Sequence, residues 1–136
     1  MSEKEIKNHK ELEVWQKAYQ LCVEVHKITE SFPEDGYVTS EIREAAASVP
    51  SKIAAGYGRR TAGECIEDLY RAYSYLLDLE TQILLSEKLG YINSGDLQRL
   101  KREIGGVGRM LKGLIRSLLE ERIQGITGMG NINGKE

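Results

Sequence analysis

At 136 residues the chain is one domain, long enough to bury a single core. Its 40% hydrophobic and 29% charged residues are ordinary for a soluble protein, and a net charge of −2 with a pI near 5.8 excludes a polycationic binder, so any nucleic-acid contact needs a local patch. No run reaches the apolar length of a membrane span, the charged start MSEKEIKNHKE is not a secretory signal, and Cys22 and Cys65, outside any metal-ligand spacing, fit a reducing cytoplasm.

Residues 1–11 read as an arm, 12–122 as a bundle of four helices, and 123–136 as a flexible tail. The spacing predicts the first helix over about Leu12–Glu30. Trp15, Ala18, Cys22, Val25 and Thr29 recur at three-four steps, and Val14, Leu21 and Ile28 widen the stripe. Phe32-Pro33-Glu34-Asp35-Gly36 breaks it.

A second helix follows over about Val38–Tyr57, with Pro50 expected to kink rather than stop it. Ile42, Ala46, Val49, Ile53 and Tyr57 form its apolar stripe. Ala47, Ser51, Ala54 and Gly58 share a neighbouring face on which another backbone could approach closely. Gly56 and Gly58 are expected to end the helix.

Thr61-Ala-Gly-Glu64 reads as a capping box opening the third helix, which Gly90 closes. Its inward residues are expected to be Ile66, Leu69, Tyr73, Leu76, Leu77, Ile83 and Leu84. Glu80 falls on that stripe, where a carboxylate is costly unless paired. Arg43 and Lys52 are its possible partners, Arg43 foremost, in a structural tie between helices. Tyr70, Tyr73 and Tyr75 cannot all be buried on one side, so at least one should meet another helix end or another subunit.

Asn93 or Ser94 caps the fourth helix. Leu97, Leu100, Ile104, Val107, Leu111, Leu114 and Leu118 alternate steps of three and four, a seam for helix packing. Arg102, Arg109, Lys112 and Arg116 lie roughly opposite it at about 100° per residue. That stripe, with Arg59 and Arg60, could meet phosphates; it could equally be a solvated face. From Gly125 the sequence is glycine-rich and aperiodic, and a disordered tail is expected. Long helices and short links favour an all-α, antiparallel up-down-up-down four-helix bundle.

The chemistry of bundle enzymes is missing. There is no Glu-x-x-His pair for a di-iron site, both histidines (His9 and His26) precede the first arginine, and no phosphate-binding loop or nucleophile elbow occurs. No catalytic residue, metal site or cofactor is therefore expected.

The chain resembles the four-helix bundle proteins encoded in intervening sequences of bacterial 23S ribosomal RNA genes. Leu12-Glu-Val-Trp15-Gln-Lys-Ala18 matches the family's opening segment. Thr39-Ser40, Arg43, Ala45, Ser48-Val-Pro50-Ser51, Ile53-Ala54, Gly56 and Gly58-Arg59 match its central signature. Asp78-Leu-Glu80-Thr81-Gln82 and Leu89-Gly90-Tyr91 match its third helix. Glu41, Glu44, Lys52 and Ala55 depart from the signature, as does Ser74-Tyr75 where the family has Gly-Ser, so the charges of that surface are exchanged.

The resemblance implies a non-enzymatic bundle assembling into homo-pentamers. The family is also similar in fold to the accessory proteins of diversity-generating retroelements, basic pentamers that bind RNA and a reverse transcriptase. Two functions are thereby open for this acidic chain. One is a binding module for RNA or ribonucleoprotein; the other is a scaffold for a protein partner such as a reverse transcriptase, without RNA contact of its own.

Overall fold

The computed structural model describes the backbone of residues 8–34 and 36–134, with side chains through Gly125. Among these are four α-helices and no strand: α1 (Glu13–Ile28), α2 (Tyr37–Tyr57), α3 (Ala62–Lys88) and α4 (Ser94–Gly134). Single turns of 3₁₀-helix, His9–Glu11 and Thr29–Ser31, bracket α1. The disordered tail expected over 123–136 lies, beyond Gly125, outside the residues whose side chains are described. No helix of the described residues is long and apolar enough to cross a membrane.

Local signals set the ends. The Thr61 hydroxyl accepts from the Glu64 amide at 3.1 Å, the first half of the expected capping box. The Glu64 carboxylate does not return to the Thr61 amide; it accepts from the Thr61 hydroxyl at 3.1 Å. Gly90, at φ +78°, closes α3, with the Tyr91 amide on the Ser86 carbonyl and the Gly90 amide on the Glu87 carbonyl. Only glycine takes that left-handed conformation cheaply. Asn93 caps α4, its side chain accepting from the Asp96 amide at 2.8 Å.

Each helix packs on the next and α4 returns to α1. The core between them holds Leu21, Ile42, Ile53, Leu69, Leu76, Leu79, Ile83, Leu100 and Leu111, each no more than 2% exposed. α2 runs on through the buried Pro50, which does not stop it. At one end of the bundle Arg43 of α2 reaches back to α1, donating to the Thr29 hydroxyl at 2.8 Å and the His26 carbonyl at 3.1 Å.

Three expectations are corrected. First, Leu77 and Leu84 are exposed, at 46% and 41%, while Leu79 is fully buried. The inward series on α3 is Ile66, Asp68, Leu69, Ala72, Leu76, Leu79, Ile83 and Ser86, all buried, with Ile66, Leu69, Leu76 and Ile83 as expected. Its small and polar members hide it from a search for apolar periodicity. Second, the Glu80–Arg43 pair does not form: Glu80, one residue past the buried Leu79, is half-buried, and Arg43 is held by α1. Third, Ala47, Ser51 and Gly58 of the small-residue face are exposed. Close backbone approach occurs instead at the buried Gly56, where a Cβ would stand 3.2 Å from both the Asp68 Cβ and the Cys65 carbonyl oxygen. Gly56 therefore sets the α2–α3 contact, and Gly58 alone caps α2.

α4 keeps its expected seam from Leu97 to Leu111, then buries Ile115 while Leu114 and Leu118 become half-buried. A straight helix drifts against a strict seven-residue repeat, so the inward position advances. α4 is tied to α1 through Arg99, whose guanidinium lies 2.5 Å from Glu24, 3.1 Å from Asp96 and 3.9 Å from Glu103.

Burial, and then a hydrogen bond shared with Glu24, push the Glu103 carboxyl up to about 7. The folded state therefore holds this proton more tightly than the unfolded one. Its contribution to stability is complete below the ordinary value of 4.5 and is lost as pH rises through about 7. Glu103→Gln is expected to melt higher than wild type at pH 8, and the gap should close at pH 5. Thermal melts across that range check it; an equal gap at both values would remove the shared proton.

Candidate nucleic-acid interface

The basic stripe of α4 is where the sequence places it. Arg102, Arg109, Lys112 and Arg116 are all exposed, on the side of α4 away from its buried seam. None of the four forms an ion pair among the described residues. Lys112 stands over the ring of Tyr73 on α3, its ammonium 5.1 Å from the centroid. Arg109 lies along its own helix, with guanidinium nitrogens 3.4 Å from where a Cβ of Gly105 would be and 3.9 Å from that of Gly106. The glycines leave this arginine room to lie flat or to swing out.

Arg59 and Arg60 lie elsewhere, in the α2–α3 link at the far end from Arg43. They differ in what they do. Arg59 donates to Asp68 at 2.6 Å, and Arg71 donates to the other oxygen of the same carboxylate at 2.9 Å. The Asp68 side chain is 2% exposed, against 45% for Arg59 and 54% for Arg71. The Arg59 hydrogen bond holds the Asp68 carboxyl below the usual carboxylate range, helped by Arg71 and opposed by burial. Arg59 is thus a structural tie that keeps part of its guanidinium in solvent, while Arg60 is exposed and in no ion pair among the described residues.

Asp68 escaped the sequence reading. It falls on the α3 series 68, 72, 76, 79, 83, and an arginine three residues on, Arg71, was the visible signal of a paired acid.

Between the α2–α3 link, the start of α1 and the later part of α4 is a cleft of about 530 Å³. Leu12, Ile53 and Leu69 form its floor, and Tyr57, Arg60 and Ser117 stand at its margin. On α4, Ser117 and Leu118 face the cleft, at steps that turn them away from the Arg102–Arg116 stripe. The structure therefore keeps the expected cations on two separate surfaces.

The Tyr cluster also divides. Tyr70 is 51% exposed, while Tyr73 and Tyr75 pack partly against the core. Tyr70, Leu77 and Leu84, seven residues apart, leave an apolar line on the outside of α3.

The model of the family described as 23S rRNA-intervening sequence protein matches residues 10–113. Among solved structures, the chain is similar to a protein of unknown function from the S23 ribosomal protein family of Bacteroides thetaiotaomicron. The TM-score is 0.70 at 15% identity, covering 75% of this chain and 97% of that one. At that identity the likeness speaks for the fold. No curated protein matches the chain.

Proposed function

This chain belongs to the 23S rRNA-intervening sequence protein family, and we propose that it is a non-enzymatic, cytoplasmic binding module for RNA or ribonucleoprotein. In this reading it is an up-down-up-down bundle that acts as a homo-oligomer, a pentamer by family resemblance. The observation that carries the RNA reading is the α4 stripe: four exposed cations on one face, none of them paired with a carboxylate among the described residues. A row of like charge on one helix face raises the local potential and is an electrostatic footprint for phosphates. The end contacts support the path of the chain, since Arg43 early in α2 meets the last turn of α1, and Arg99 early in α4 meets Glu24 late in α1.

Binding of this kind reads phosphate spacing and not base sequence. Affinity for a single-stranded RNA is expected to be weak and to fall with log[salt] at a slope of roughly −0.7 per contacted phosphate. Arg109→Glu with Arg116→Glu should abolish it without unfolding the bundle, because both side chains are exposed. Filter retention across a salt series checks this. Undiminished binding by the double variant, or none by wild type near 50 mM salt, would turn the reading to the scaffold for a protein partner such as a reverse transcriptase.

That second reading has its own observation. Tyr70, Leu77 and Leu84 present apolar area on α3 that a subunit or partner protein could cover. Light scattering on the intact chain should give a mass several times 15.3 kDa if subunits assemble; a clean monomer at micromolar concentration rejects the ring.

A further inference from the structure

The cleft beside the α2–α3 link is a second surface, distinct from the α4 stripe, and the reading above does not use its interior. Its volume of about 530 Å³ falls in the range of small-ligand sites. The half-buried Leu114 and Leu118 give it apolar surface, over the buried Leu12, Ile53 and Leu69. The ring of Tyr57, half-buried, forms one margin, and the exposed Arg60 stands three residues on. Arg59, also at this margin, is fixed in place by Asp68 and still keeps part of its guanidinium in solvent. A space with apolar side chains, an aromatic edge and cations at the mouth suits a ligand with a planar body and an attached anion.

We propose that the cleft receives one unpaired nucleotide of an RNA strand, its base seated against Tyr57 and the apolar floor and its phosphate at Arg60. This rests on the RNA-binding reading and adds to it a preference for unpaired segments. A base in a duplex is stacked and cannot enter; an extruded base can, and every base offers a face to an aromatic ring. Glu121, also at the margin, repels a phosphate on its own side. It thereby favours an orientation in which the phosphate lies on the arginine side and a ribose hydroxyl or base amino group donates to the carboxylate.

Cys65 lines the cleft and is half-buried, so its thiol reports occupancy. In a Cys22→Ser background, alkylation of Cys65 by N-ethylmaleimide is followed with a ten-nucleotide single-stranded RNA, or with a duplex of equal charge. The single strand is expected to slow alkylation several-fold and the duplex to leave it unchanged. Tyr57→Ala should remove the protection and weaken single-strand binding by about tenfold, the size of one base-stacking contact. Ser117→Trp, which fills the cleft from an exposed position, should do the same without touching the core. Single strands that bind without protecting Cys65, with both variants binding like wild type, would overturn the cleft and leave the α4 stripe standing. Equal protection by duplex and single strand would overturn the preference for unpaired bases. No binding of either RNA by wild type would overturn both the cleft and the reading on which it rests.

Discussion

Leu79→Ala is expected to destabilise the fold by about 2–5 kcal/mol, and Leu77→Ala by less than about 0.5 kcal/mol. The two leucines are two residues apart on α3 and alike in chemistry, so the contrast isolates their environment. Leu79 has no exposed surface and Leu77 has 46%. Truncating Leu79 removes buried methyl groups and leaves a cavity between helices that pack on one another in a closed ring, with little freedom to collapse. Truncating Leu77 removes area that water already reaches. Denaturant unfolding of both variants, compared at equal slope, checks the assignment. A large loss at Leu77 would mean that its face is covered, which in this chain points to a subunit contact along the Tyr70, Leu77 and Leu84 line. Repeating the measurement over a range of protein concentration separates that case, because a covered interface makes stability depend on concentration.

Asp68→Ala is expected to cost about 1–3 kcal/mol, through the loss of two charge-assisted hydrogen bonds to a buried carboxylate. Glu80→Ala should lie within about 0.5 kcal/mol of wild type, since Glu80 is half-buried and has no ion pair among the described residues. The pH dependence has a definite sign. The Asp68 carboxyl is held below its ordinary value of 3.8, so its contribution is present above that value and lost as pH falls through the lowered one. The gap between wild type and Asp68→Ala should therefore hold from neutral pH down to mild acid and shrink only below about pH 3.8. Thermal melts at several pH values test both statements. A larger loss at Glu80 than at Asp68 would restore the expected Glu80 tie and displace the one described here. The Asp68 tie also bears on the cleft, because Arg59 is positioned by it; in Asp68→Ala the cleft's arginine margin should loosen and Cys65 should become more reactive.

These contrasts show where the sequence could and could not be followed. The basic stripe was legible because charge at helical spacing leaves few options: on a helix whose opposite side is a seam of apolar residues, Arg102, Arg109, Lys112 and Arg116 turn outward, with Lys112 near enough to α3 to stand over Tyr73. α3 was not legible in the same way. Apolar residues cover more than half its circumference, with Leu76, Leu79 and Ile83 buried and Tyr70, Leu77, Leu84 and Leu85 exposed. Two faces then compete, and periodicity alone favours the more hydrophobic one. The face that won carries Asp68, Ala72 and Ser86 among its buried residues, and at Asp68 the fit is made by Gly56, which lets α2 approach to within contact of the Asp68 Cβ. Small side chains at a helix crossing gain from close packing what they lack in apolar area.

The sequence by itself determined the all-α class, the four helices, the caps at Thr61 and Gly90, a cap at Asn93 or Ser94, the α4 seam as far as Leu111 and the outward placement of its cations. These follow from interactions within a few residues: a hydroxyl or amide reaching a nearby N–H, a glycine at positive φ, a repeat of three and four. Only the tertiary structure decided that Leu79, and not Leu77 and Leu84, turns inward on α3, that Arg43 serves α1 and not Glu80, that Arg59 and Arg71 share the buried Asp68, and that Arg99 joins α4 to Glu24. Each of these pairs or faces depends on how helices rotate and slide against one another. That geometry is set by the fit of whole surfaces, Gly56 against α3 above all, and no local spacing encodes it.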